Sequence, residues 1–180
     1  MVYFTADLHL GHANILKHTG RPFDTIEEMN HTLISNWNRK VHRNDTIYIM
    51  GDLFFRNAVP AEELLRQMKG KKHLVVGNHD KDWMKTVELT EHFETVQFMA
   101  EVNDGNHRLT LCHYPMMAWN KCNRGSFLIH GHIHNNRNDT YWPLLRNMPN
   151  ALNAGVDINN YEPVTFAELV QNNQRFKEDA

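Results

Sequence analysis

The chain has 180 residues, 41% of them hydrophobic and 22% charged, which fits one domain spanning residues 1–180 with a sizeable buried core. Lysine and arginine total 19 against 21 aspartates and glutamates, and a formal charge of −2 argues against tracking extended nucleic acid or coating an anionic membrane. No apolar run approaches the roughly 18 residues of a membrane span, the N-terminus shows no secretory-signal pattern, and Cys112 and Cys122 make no disulfide framework, so a soluble cytoplasmic protein is expected.

Residues 2–6 form a short apolar run that reads as a buried strand. Ile26, Met29, Leu33, Ile34 and Trp37 then recur at helical spacing, opened by a capping box of Asp24 with Glu27 or Thr25 with Glu28. A second strand follows at 46–50. Pro60 opens the next helix, Ala61, Leu64, Leu65 and Met68 line one face of it, and Gly70 can end it. Residues 73–76 read as a third strand. The first half is therefore β-α-β-α-β, with parallel strands joined by helical crossovers. Further strands are expected at 108–112, 127–129 and 151–156, with a weaker one at 95–102. Residues 135–150 are polar, contain two prolines and lack periodicity, so they read as a long surface loop. Thr165 and Glu168 fit a last capping box, with Val164 and Leu169 as its hydrophobic staple.

Thirteen histidines outnumber the nine glycines, and histidine is both the commonest metal ligand and an acid–base group near neutrality. Their positions matter more than their number. Five of the apolar runs end in ligand-type residues: Asp7 and His9, Asp52, Asn78-His79-Asp80, His113, and His132 with His134. Parallel strands present their C-terminal ends to one crevice, which is where open α/β sheets place their sites. Asp7 and His9 are two apart, as are His132 and His134, so in extended chain each pair points to one side. Gly51, Gly77 and Gly131 precede these residues where the backbone must turn and approach closely. Asp157, by contrast, reads as a turn or cap residue. His18, His31, His42, His73, His92 and His107 read as surface or satisfied histidines, and His130, inside its strand, as a packing residue.

The ordered set Asp7-Leu8-His9, Gly51-Asp52, Gly77-Asn78-His79-Asp80, His113 and Gly131-His132-Ile133-His134 resembles the calcineurin-like metallophosphoesterase superfamily, in its compact bacterial, archaeal and phage form. The resemblance runs from Met1 to His134, with a family-like final strand near Asn153–Asp157. It implies an α/β fold of two packed central sheets flanked by helices, a four-layer sandwich. It also implies two divalent transition-metal ions, one held by Asp7, His9, Asp52 and His134, the other by Asp52, Asn78, His113 and His132. A shared Asp52 would keep them roughly 3.5–4 Å apart. Mixed nitrogen and oxygen donors suit Mn, the favoured metal, or Fe, Zn, Ni or Co better than Ca. The second block departs from the protein-phosphatase form, which puts Asp and Gly on either side of the arginine. Arg56 is thus either a phosphate-binding residue or a surface ion-pair partner.

The implied reaction is attack of a metal-bridging hydroxide on phosphorus, with His79 as general acid to the leaving oxygen. Asp80 would orient or charge His79, cap the following helix, or both. His12 either faces substrate or ties down its loop. The segment 114–125, with Trp119, Lys121 and Arg124, could stack a base and meet a phosphate, or pack against the sheet. The expected activity is a phosphodiesterase acting on a small or nucleotide-like diester. The alternatives are a phosphomonoesterase with the same site and a catalytically silent metal-binding scaffold. No oligomer is indicated, and no room is left for a large capping domain of the kind that double-strand-break nucleases carry.

Overall fold

The computed structural model describes residues 1–55 and 59–178. Among these residues, eight strands form two four-stranded sheets. In the first, β1 (Val2–Thr5), β2 (Thr46–Ile49), β3 (Lys71–Val75) and β4 (Phe93–Gln97) lie in sequence order and all run parallel. In the second, β5 (Met99–Asn103) pairs antiparallel with β6 (Arg108–Cys112), and β6, β7 (Phe127–His130) and β8 (Ala151–Asn153) run parallel.

Side chains alternate across a strand, and here the alternation divides β1, β2 and β3 between two cores. Tyr3, Ile47, Ile49 and Leu74 face the helices α2 (Ile26–Lys40) and α3 (Ala61–Gln67), whose Met29, Leu33, Trp37, Leu64 and Leu65 join the same cluster. Phe4, Met50 and Val75 face the other way and pack against Leu111, Ile129 and Leu152 of the second sheet. The two sheets are thus stacked, with helices outside them. Trp37 is fully buried, and its indole N–H donates to the Lys69 carbonyl at 2.8 Å, which ties α2 to the chain entering β3. The C-terminal helix α6 (Phe166–Glu178) begins at the expected box: Glu168 accepts from the Thr165 backbone N–H at 2.8 Å, and Val164 and Leu169 are both buried. Of the two boxes possible for α2, Thr25 with Glu28 forms the cap, the Thr25 hydroxyl accepting from the Glu28 N–H at 3.1 Å.

Two expectations are corrected. The single strand at 95–102 is two strands, β4 and β5, in different sheets, parted at Phe98, which is 73% exposed. The apolar run Phe98-Met99-Ala100 interrupts the alternation there, but no glycine or proline marks the switch. The segment 135–150 is not only loop. It contains a short helix, α5 (Trp142–Leu145), whose Trp142 and Leu145 are buried, with the Trp142 ring 5.0 Å from that of Phe176. One turn is too short for periodicity to show.

Candidate metal centre

Five strand ends converge at one edge of the stacked sheets. β1 delivers Asp7 and His9, β2 Asp52, β3 Asn78 and His79, β6 His113, and β7 His132 and His134. The chain leaves these strands through tight turns. Asp7 (φ 58°), His9 (50°), Asp52 (54°), His132 (73°) and His134 (50°) all lie in the left-handed region, where a side-chain-bearing residue is strained by on the order of 1 kcal/mol or more. Such strain clusters where a side chain must be aimed. Two glycines allow the loops to touch. A Cβ on Gly51 would lie 2.6 Å from the Gly77 backbone and 2.7 Å from His113 Nδ1, and a Cβ on Gly77 would collide with the Asp52 carboxylate.

The donor atoms form two groups. Those of Asp7, His9 and His134 lie within 4.8 Å of one another, and so do those of Asp52, His113 and His132. Asp52 Oδ2 sits 3.5 Å from both His9 Nε2 and His113 Nε2, so this buried carboxylate stands between the groups. Asn78 Oδ1 is 2.9 Å from His113 Nε2 and 3.1 Å from His132 Nδ1. The seven residues expected as ligands therefore come together at this edge.

The hydrogen-bond chemistry of this cluster is that of a cation site. His113 Nδ1 lies 2.8 Å from the Met50 carbonyl, which only accepts, so a neutral His113 turns a bare lone pair at Nε2 toward Asn78 Oδ1, another acceptor. Asp7 Oδ2 accepts from the His132 N–H at 2.8 Å, but Asp7 Oδ1 and His9 Nε2 are buried without any hydrogen-bond partner among the described residues. Buried polar atoms left unpaired cost free energy, and lone pairs facing lone pairs repel. A positive ion in each group relieves both. Burial pushes the Asp7 carboxyl up to about 6, against the pull of His134 and His113. Burial, with His134 and Arg21 nearby, holds His9 well below the usual histidine range, so its ring is neutral and able to coordinate.

His134 is braced from behind. Its Nδ1 is 2.8 Å from Asp157 Oδ2, and Asp157 is paired with Arg21, Nε to Oδ1 at 2.8 Å. Burial alone would lower His134, but the hydrogen bond to Asp157 and the nearby carboxylates raise it; burial alone would raise Asp157, but the hydrogen bond from His134 and the Arg21 charge hold it far below the carboxylate range. Asp157 is thus more than the turn or cap residue expected: its side chain is 0% exposed and joins His134 to Arg21. It follows β8 as the ligand-type residues follow their strands, a signal present in the sequence. Arg21, just after the short helix α1 (Ile15–Thr19), carried none.

Asp80 also departs from expectation. Both its oxygens are engaged by donors other than the His79 ring. Oδ2 accepts from the Asp52 N–H at 2.9 Å and the Gly77 N–H at 2.7 Å, and Oδ1 from the Leu53 N–H at 2.9 Å and Trp83 Nε1 at 2.8 Å. A fully buried carboxylate that saturates four donors braces the Gly51 and Gly77 loops and does not charge an imidazole. The His79 backbone N–H donates to Asp52 Oδ1 at 2.9 Å, while its ring stands 4.9 Å from the Phe55 ring at 90° and 5.4 Å from that of His9. His12 Nδ1 lies 3.3 Å from His9 Nδ1, and burial together with the His79 charge lowers His12 to about 4. Both rings line a cleft of about 770 Å³ that also exposes His132, His134, Asn135 and Tyr141. Arg56 lies outside the described residues. Trp119 packs against the small core under α5, its N–H 3.1 Å from Ser126 Oγ, so it serves packing and not the cleft. His130 is buried within β7, as expected of a packing residue.

A model of the calcineurin-like phosphoesterase family matches residues 1–158. The chain belongs to that family. An uncharacterized protein from Methanocaldococcus jannaschii is 35% identical over 172 residues, covering 94% of this chain and 89% of that protein. The Gene 66 protein of Mycobacterium phage L5 is 29% identical over 159 residues, covering 73% of this chain and 76% of its own. Among solved structures, a protein of unknown function from Aquifex aeolicus superposes with a TM-score of 0.72 at 28% identity, over 95% of this chain and 98% of that one. The two sheets flanked by helices and the two Asp/His clusters fit a binuclear metal site of the calcineurin-like kind. No helix among the described residues is long and apolar enough to cross a membrane.

Proposed function

We propose that this chain is a single metallophosphoesterase domain that hydrolyses a small or nucleotide-like phosphodiester with two divalent transition-metal ions, manganese foremost. The observation that carries this reading is the Asp52 carboxylate standing 3.5 Å from a histidine nitrogen of each group. Asp7, His9 and His134 would hold one ion, Asn78, His113 and His132 the other, and Asp52 both. When bound, such a pair activates water as a nucleophile and neutralises charge on the phosphoryl oxygens.

The chain's own residues supply the rest. Two carboxylates against two divalent cations leave the site net positive, so the cleft attracts an anionic ester. The wall carrying His12 and His79 receives the leaving group. An alkoxide leaving a diester needs a proton, and His79, half-buried at the mouth, is the residue placed to give it to the leaving oxygen. Phe55, perpendicular to the His79 ring, limits its rotation. Asp80 acts on this chemistry only by fixing the loops that carry Asp52 and His79. A phosphomonoester would use the same ligands and depend less on His79. Cys112 and Cys122 are both free thiols, which supports a reducing, cytoplasmic setting.

The test is metal-free protein reloaded with Mn, Fe, Zn or Ni and assayed on a cyclic nucleotide, an open diester and a monoester. Diester hydrolysis with at least one metal is the expected result. Preference for the monoester would establish the second activity, and two bound ions without turnover on any ester would establish a scaffold.

A further inference from the structure

The two metal groups are not braced alike. Behind His113 stands a neutral backbone carbonyl, that of Met50. Behind His134 stands a buried ion pair. Arg21 uses all five of its N–H donors: on Asp157 Oδ1 (2.8 Å) and Oδ2 (3.1 Å), on the carbonyls of Asp7 (2.7 Å) and Leu8 (2.8 Å), and on Met29 Sδ (3.3 Å). Asp157 Oδ2 takes His134 Nδ1 as well. One guanidinium thus grips the loop that carries Asp7 and His9, and through one carboxylate it grips the loop that carries His134. Asp7 and His134 come from opposite ends of the site's sequence span, and Arg21 and Asp157 are 136 residues apart. Every ligand of the Asp7 group is held this way. Of the Asp52 group only His132 shares one of these loops, and its ring turns to Asn78 Oδ1 and not to the Arg21–Asp157 pair.

We propose that Arg21 and Asp157 are positioning residues for one metal site only, the Asp7–His9–His134 site, and that they set which nitrogen of His134 coordinates. The inference rests on the reading of those three residues as ligands. A carboxylate gripped by a guanidinium can only accept, so His134 Nδ1 carries a proton and Nε2 keeps its lone pair for the ion. The carbonyl bonds hold Asp7 and Leu8 in the turn that aims the Asp7 and His9 side chains. A forked, planar cation is required for this. A lysine in place of Arg21 reaches one partner at a time and cannot bridge the two loops.

The experiment is a Mn²⁺ titration of metal-free wild type, Asp157→Ala, Asp157→Asn and Arg21→Lys, with bound metal counted after desalting and folding checked by circular dichroism. Wild type should hold two ions. Asp157→Ala should hold one, with affinity for the other weakened roughly 10–100-fold. Asp157→Asn, which keeps the shape and an acceptor for His134 but loses the ionic tie, should fall between them. Loss of both ions, or of neither, by a folded variant overturns the assignment. Should the alanine variant not fold, the asparagine variant and metal-free wild type decide. Long-range ¹H–¹⁵N spectra of the wild type at alkaline pH should place the His134 proton on Nδ1, and a proton on Nε2 overturns the claim. Wild type that binds no ion at all would instead sink the functional reading beneath it, a different result from two ions that ignore Asp157.

Discussion

Asp80 accepts a hydrogen bond from the backbone N–H of Asp52 at 2.9 Å across 28 residues of sequence, and the same carboxylate binds the Gly77 and Leu53 amides and the Trp83 indole. Two of the strand-end loops that build the metal centre are therefore one mechanical unit. Removing the carboxylate strands four donors, three of them backbone amides, beneath the site. Asp80→Ala is expected to destabilise the fold by about 3–5 kcal/mol, measured by urea denaturation of metal-free protein. A catalytic role for the Asp80 side chain predicts instead a stable protein with lost turnover.

Asp52 has a different signature, because it stands between the two donor groups. Asp52→Asn keeps the shape but removes the negative charge shared by both sites. Elemental analysis after desalting should show weakened retention of both ions, with Mn²⁺ affinity reduced at least tenfold. Retention of two tightly held ions would mean that the carboxylate is not a bridge.

The His79 ring makes no hydrogen bond to either group of donors among the described residues, so His79→Asn should leave metal content unchanged. Its turnover should fall by about 10²–10⁴ on a diester with an alkyl leaving group. The loss should shrink on a nitrophenyl ester, whose leaving group departs without a proton. Equal losses on both esters would show that His79 does something other than protonate the leaving oxygen.

Acid sensitivity has a source outside the ligands. Burial holds His130 down to about 4, from 6.5 in the unfolded chain. Between those values the unfolded state takes up a proton that the folded state refuses, so stability contributed by the neutral ring is complete above pH 6.5 and declines as the pH falls toward 4. The amount at stake is at most about 3 kcal/mol. In chelator, the stability difference between wild type and His130→Gln should be constant above pH 6.5 and should shift against wild type below it. The comparison cancels Asp7, whose raised carboxyl works in the opposite sense in metal-free protein. A difference that does not change with pH would show that His130 takes up its proton equally in both states.

Much of this architecture is legible in the sequence because the strand ends carry their chemistry locally. Apolar runs of three to five residues followed by Asp, Asn or His located β1, β2, β3, β6 and β7 and every member of the two donor groups. What escaped is non-local. The passage from β4 to β5 changes sheets at Phe98 without a glycine or proline, and sheet membership depends on pairing partners elsewhere in the chain. Asp80 could not be separated from a general-acid partner, because the Asp52 and Leu53 amides that it accepts from lie 28 and 27 residues away and only the fold brings them to it. Arg21 sits in an ordinary loop sequence, and only Asp157, 136 residues away, gives it meaning. Asp157 obeys the strand-end rule, but an Asp after a strand is more often a turn or cap residue, and only the fold shows its partners.

Five donor-bearing residues adopt backbone angles suited to glycine. Replacing any of them by glycine would ease the local geometry while deleting a donor, so durability and reactivity pull in opposite directions at the same positions. A library of this chain screened for heat tolerance alone should accumulate such replacements at 7, 9, 52, 132 and 134 and yield hardy, inert proteins.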